Sequence, residues 1–254
     1  MNSSYARIYS LLDITSLEGT DSKTSICRFI DEIKSTAEKT GWKPAAVCVF
    51  PVFAVQAREL LAGTGIKVAC VAGAFPHGQL PLHMKANEVK FALDAGADEI
   101  DYVINRGRFL QDGAEYLFEE IAHIRQICGD RNLLKVILET GELEKPELMK
   151  RAAAAAIRGG ADFVKTSTGK AKESATPKSV EMLCEAVKDH FLRTGVKKGI
   201  KPAGGISEPG DAEKYISYIT RGTGPDWIHP DRLRFGASRL AKKLLGETTD
   251  ITGY

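Results

Sequence analysis

Asp101, Lys165 and Lys201 are charged side chains set within otherwise apolar, strand-like runs of the 254-residue chain. Asp101 lies within Glu99 to Ile104, Lys165 within Ala161-Asp162-Phe163-Val164-Lys165-Thr166, and Lys201 within Gly199 to Ile206. A lysine inside an apolar strand is costly to bury charged, so it must be paired or partly neutralised. Strand alternation puts Phe163, Lys165 and Ser167 on one face, and Gly199, Lys201 and Ala203 on one face. If these faces meet, unit charges ~4 Å apart at an effective dielectric of ~20 repel by about 4 kcal/mol. At ~1.4 kcal/mol per pK unit, that draws a lysine from ~10.4 to roughly 7–8. A neutral amine held there is the nucleophile that imine (Schiff-base) chemistry requires. Taken singly, each charge has a plainer reading as a snorkelling or salt-bridged strand residue. Together they favour chemistry.

Three glycine turns stand late in the chain: Thr168-Gly169-Lys170, Ala203-Gly204-Gly205-Ile206-Ser207 and Phe235-Gly236-Ala237-Ser238. The last two precede helical stretches, where free backbone N–H groups and the helix dipole favour an anion. Each alone is an ordinary turn. Jointly they suggest a phosphorylated ligand, with Lys170 as a counter-charge.

The elements that must carry these residues alternate regularly. Strand-like runs are expected at Leu11 to Leu17 (with Asp13 in its middle), Ala45 to Phe50, Lys67 to Ala74, Glu99 to Ile104 and Leu133 to Leu138. The Lys165 stretch, Gly199 to Ile206 and Leu233 to Phe235 complete the set. Between them lie apolar residues at helical spacing, with Thr20 and Asp21 as an N-terminal cap, Gly41 as a stop and Thr176-Pro177 as a cap with first-turn proline. Strict alternation implies a parallel sheet with right-handed crossovers. Eight units in this length favour a single-domain α/β fold, a closed (β/α)8 TIM barrel, over a doubly wound open sheet. No Gly-x-Gly-x-x-Gly follows the first strand, which also argues against a dinucleotide fold. The barrel is expected over residues 1–245, with a polar, threonine-rich tail at 246–254.

Composition narrows the setting. The chain is 43% hydrophobic and 27% charged, with a formal charge of +2 and no long basic run, which offers nucleic acid no electrostatic footprint. Cys27, Cys48, Cys70, Cys128 and Cys184 are odd in number and lack Cys-x-x-Cys spacing, so a cytoplasmic setting is expected. Cys48 and Cys70 sit in apolar runs and read as core filler. The five histidines are scattered, so no metal site is expected. Neither a signal-peptide apolar region nor a membrane span is found.

The motifs resemble those of the deoxyribose-phosphate aldolase family, class I enzymes that use no metal or other cofactor. The matching stretches are Asp98-Glu99-Ile100-Asp101, Leu134-Lys135-Val136-Ile137-Leu138-Glu139-Thr140-Gly141, Asp162 to Lys170, Lys201-Pro202-Ala203-Gly204-Gly205-Ile206 and Arg234-Phe235-Gly236-Ala237-Ser238. The resemblance runs from about Leu11 to the end. It implies that Lys165 forms the imine and that Lys201 is the neighbouring cation. Asp101 would move the proton of the substrate's 3-hydroxyl with Lys201, through a water. Asp13 matches an acidic residue near the reactive lysines. Gly169, Lys170, Gly204, Gly205, Gly236 and Ser238 match phosphate-binding positions. The substrate implied is 2-deoxyribose 5-phosphate, cleaved to glyceraldehyde 3-phosphate and acetaldehyde.

Two positions depart from the family pattern: Ser207 stands where some relatives carry arginine, and Arg239 where some carry serine. Arg239 would then restore the missing charge from the adjacent loop. Tyr254 matches a terminal tyrosine that, in part of the family, enters the site and helps protonate the enamine. An extended nine-residue tail reaches at most ~30 Å, enough for a visit to the site. The competing readings are another lysine-dependent aldolase or transaldolase-like barrel, and a catalytically idle sugar-phosphate binder. A homodimer is the assembly expected.

Overall fold

The computed structural model describes residues 3–246. It opens with a short helix, α1 (Ser3–Ser10), that the sequence reading did not anticipate. The strands are β1 (Leu12–Thr15), β2 (Ala46–Val49), β3 (Lys67–Ala72), β4 (Glu99–Val103), β5 (Leu133–Ile137), β6 (Phe163–Lys165), β7 (Gly199–Lys201) and β8 (Phe235–Gly236). Between them come α2 (Lys23–Thr40), α3 (Ala54–Leu60), α4 (Leu82–Asp94), α5 (Arg106–Asp112), α6 (Ala114–Cys128), α7 (Pro146–Arg158), α8 (Pro177–Thr194) and α9 (Pro209–Thr223). The short helix α10 (Arg239–Leu244) closes the described chain.

All strand pairs are parallel, in the order β7-β6-β5-β4-β3-β2-β1-β8. Parallel bridges from Ile200 to Leu233 and from Ala203 to Gly236 join the two ends, so the sheet closes on itself. The expected (β/α)8 barrel is the observed fold. The differences are local. The eighth strand is only Phe235–Gly236, two residues later than the apolar run suggests, because Leu233 is used in the closing bridge. The cap of α2 is Ser22, whose hydroxyl accepts from Ser25 N, while Asp21 instead takes hydrogen bonds from Ser16 Oγ and Glu18 N. A serine at the third helical position closes the box in place of the usual glutamate or glutamine, which hid it in the sequence.

The alternation of each strand divides the core. Outward residues such as Leu12, Val47, Val68, Ile100, Val136, Val164, Ile200 and Phe235 pack against the helices. Inside, the wall made by β2 and β3 is small and apolar (Ala46, Cys48, Ala69, Val71). The wall made by β4 to β7 and β1, with Arg234 just before β8, carries charge.

Candidate active site

Lys165 and Lys201 are the last residues of β6 and β7 and are register partners. Both chains leave the sheet immediately afterwards, into the glycine turns. This ends the lysines at the C-terminal mouth of the barrel, where the loops of this fold gather function. Gly199 makes room below them: a Cβ there would lie 2.3 Å from the Phe163 ring. A side chain at that position would force the β6 and β7 walls apart.

The inward side chains form one continuous ion network. Asp101 Oδ2 accepts from Lys165 Nζ at 2.7 Å and from Lys201 Nζ at 2.6 Å. Asp13 Oδ2 also accepts from Lys201, and lies 2.9 Å from Lys135 Nζ. Lys135 further contacts Asp101 Oδ1 at 3.0 Å and Glu99 Oε2 at 2.5 Å. Arg234 closes the lower end, 2.6 Å from Asp13 Oδ1 and 2.9 Å from Glu99 Oε1. Every member is buried. Three carboxylates thus face four basic groups, and the network is charge-balanced when one of the four is neutral.

Electrostatics disfavour the charged form of Lys165. Burial is the largest influence and pushes its amine below the ordinary lysine value; Asp101 opposes this and Lys201 adds to it. The strand pattern predicts repulsion between the two lysines as the main influence. The structure places desolvation first, because Asp101 stands between the ammonium groups and offsets much of their repulsion. Lys135 moves the other way: burial works against its charge, but Asp101, Asp13 and Glu99 outweigh it and hold the ammonium well above the usual range. Asp13 and Asp101 are held well below the usual carboxylate range, since their cationic neighbours overcome the cost of burial.

Above Lys165 opens a cleft of about 320 Å³ lined by the turns after β6, β7 and β8. Its walls include Gly169, Lys170, Gly204, Gly205, Gly236, Ser238 and Arg239, so all seven phosphate-type residues expected from the sequence meet here. A larger cavity of about 650 Å³ lies between α2 and α10 and touches neither Lys165 nor Lys201. The smaller cleft is the one that Lys165 lines. Gly204 and Gly205 take positive φ of 79° and 73°, and Gly169 takes 79°, conformations that suit glycine. A Cβ on Gly204 would lie 2.4 Å from Ser174 Oγ, so the β6 and β7 turns stack closely. The backbone N–H groups of Gly169, Gly204 and Gly205 donate to no group among the described residues. Such a cluster of free amides suits an anion.

One expectation shifts. Ser207 N and Glu208 N, near the start of α9, donate to Asp211 Oδ2 at 3.4 and 3.1 Å. That helix start is served by its own carboxylate, and the loop glycines rather than the helix end are left to face an anion. Lys170 is a partly exposed cation at the rim, 3.0 Å from Glu18 Oε1. Ser238 and Arg239 are exposed on the opposite rim. Tyr254 lies outside the described residues. Lys135, Glu99 and Arg234 received no role from the sequence, although all three lie in the quoted motifs. Their signal was the same as that of Lys165, a charge at an inward strand position.

The comparisons with known proteins agree with one another. The model of the DeoC/LacD family aldolases matches residues 11–217. The deoxyribose-phosphate aldolase of Homo sapiens is 39% identical, over 92% of this chain and 77% of that protein. Its Mus musculus counterpart is 38% identical over the same shares. Among solved structures, one from Toxoplasma gondii ME49 superposes with a TM-score of 0.85 at 25% identity, covering 96% of this chain and 93% of the other. The tetrameric deoxyribose phosphate aldolase of Aeropyrum pernix gives 0.75 at 28% identity, covering 99% and 94%. With a family match over most of its length, close relatives on both measures and the barrel to go with them, the chain belongs to the DeoC/LacD aldolase family and is a carbon–carbon lyase of that family.

Proposed function

We propose that the protein catalyses the reversible aldol cleavage of 2-deoxy-D-ribose 5-phosphate to D-glyceraldehyde 3-phosphate and acetaldehyde, through an imine on Lys165. The observation that carries this reading is the position of Lys165. Its amine is buried, is drawn towards the neutral form, and sits at the floor of a cleft rimmed by free backbone amides.

In this reading Lys165 Nζ attacks the C1 aldehyde, and loss of water gives a protonated imine. Asp101 and Lys201 together, through a water, take up the proton of the 3-hydroxyl. The C2–C3 bond then breaks, and its electron pair moves into the imine to give a neutral enamine while glyceraldehyde 3-phosphate leaves. Protonation at C2 and hydrolysis release acetaldehyde and restore the amine. The covalent route replaces an unstable carbanion with an enamine, dividing one hard step into easier ones. Lys201 supplies the cation beside Asp101, and Asp13 holds Lys201 in place. Gly169, Lys170, Gly204, Gly205, Gly236, Ser238 and Arg239 bind the phosphate. Tyr254 serves the enamine protonation step.

Acetaldehyde with borohydride tests the reading. An adduct is expected on Lys165 by peptide mapping, with loss of activity and no effect of chelator. An adduct without cleavage of deoxyribose 5-phosphate would point to a different phosphorylated carbonyl substrate. No adduct would leave a sugar-phosphate binder.

A further inference from the structure

Glu139 is buried immediately after β5 and takes no part in the ion network below the cleft. Its backbone adopts φ 53° and ψ 61°, a left-handed conformation disfavoured for a residue with a Cβ. What it gains there is a grip on the next turn. Both carboxylate oxygens accept from Thr168 N, each at 3.2 Å, and Oε2 also accepts from the Thr168 hydroxyl. The Thr168 oxygen in turn accepts from Lys170 N at 3.1 Å.

Two of the three amides in Thr168-Gly169-Lys170 are therefore committed within the protein. Among the described residues, only the amide of Gly169 in this turn remains free, beside those of Gly204 and Gly205. The neighbouring backbone fixes Glu139 itself. Thr140 N donates to Thr166 O at 2.8 Å, and a Cβ on Gly141 would lie 2.4 Å from Glu173 O. The turn after β5 is thus packed against the loop after β6, with the carboxylate pointed at Thr168.

We propose that Glu139 is a positioning residue for phosphate recognition, acting through Thr168 to set the amide of Gly169 and the course of Lys170. It touches neither the phosphate nor the reacting carbon. The inference rests on the reading of the cleft as a sugar-phosphate site, and it separates recognition of the phosphate from the chemistry at Lys165.

The experiment compares wild type, Glu139→Gln and Glu139→Ala by titration with inorganic phosphate, by cleavage kinetics, and by acetaldehyde–borohydride trapping at Lys165. Losing a charge-assisted pair of hydrogen bonds should weaken phosphate binding in Glu139→Ala by about tenfold, with KM for deoxyribose 5-phosphate rising by a similar factor. Trapping at Lys165, and cleavage of unphosphorylated deoxyribose, should stay within about twofold of wild type. Glu139→Gln keeps a carbonyl acceptor for the Thr168 hydroxyl and should recover most of the loss. Unchanged phosphate affinity in Glu139→Ala would overturn the proposal, as would an equal fall in trapping and phosphate binding. If Glu139→Ala does not fold, Thr168→Val breaks the same hydroxyl bond from the other end and must show the same split. Phosphate titration reads the proposal even if wild type fails to cleave deoxyribose 5-phosphate, an outcome that would sink only the substrate assignment.

Discussion

Lys165 and Lys201 donate to the same carboxylate oxygen, Oδ2 of Asp101, from the last positions of adjacent strands. One acid therefore opposes both amines, and the balance at Lys165 depends on who else holds Asp101. Removing the Lys201 charge takes away a contribution that lowers the Lys165 pKa and leaves Asp101 to it more fully. Both changes raise that pKa. Since only the neutral amine attacks an aldehyde, Lys201→Met should move the acid limb of acetaldehyde trapping at Lys165 to higher pH. Trapping rates across pH would show it; a limb that stays put or moves down would remove Lys201 from this role.

Lys135 is the hub beneath that pair, in contact with Asp13, Glu99 and Asp101. Lys135→Met leaves three buried carboxylates short of a cation, a change that costs about 3–5 kcal/mol when one partner of a buried pair is removed. Urea denaturation of the variant should show a loss of that size. Loss below about 1 kcal/mol would mean that water or relaxation replaces the cation.

Acid stability follows from the same network. Asp13 and Asp101 have folded-state pKa values below the ordinary value of 3.8, so their stabilising contribution is complete above it. That contribution is lost as the pH falls below 3.8 towards the folded-state values. In Lys135→Met the two carboxyls lose a major lowering influence. Thermal melts against pH should therefore show the variant losing stability at higher pH than wild type.

Gly204→Ala tests the stacked turns. The substitution adds a Cβ 2.4 Å from Ser174 Oγ and forces alanine to a φ of 79°. A left-handed alanine costs roughly 1–2 kcal/mol before any clash. The turn should reorganise, and KM for the phosphorylated substrate should rise by about tenfold while acetaldehyde trapping persists.

Arg239 lines the cleft beside Ser238 and is exposed. Arg239→Ala should raise the KM for deoxyribose 5-phosphate with little change for unphosphorylated deoxyribose. An unchanged KM removes it from the phosphate site. For Tyr254, deletion should slow turnover more than it weakens substrate binding; equal turnover in the shortened protein refutes that role.

The sequence by itself determined the barrel, because eight apolar runs alternating with helical periodicity leave few parallel topologies. It also marked Lys165, Lys201, Asp101 and Asp13, since a charge within an apolar strand is conspicuous one residue at a time. Tertiary structure decided what those charges do to one another. Asp13 and Lys201 are 188 positions apart, and their ion pair exists only because β1 and β7 face into one barrel. For the same reason Lys135, Glu99 and Arg234 went without roles: a strand pattern states that a side chain points inward, not which partner it meets. The ranking of effects at Lys165 also needed coordinates, because burial and the intervening Asp101 outweigh the direct repulsion expected from a lysine pair. Glu139 shows the limit most clearly. In sequence it is one acid after a strand, and its grip on Thr168 is created by loops that pack together only when the barrel closes.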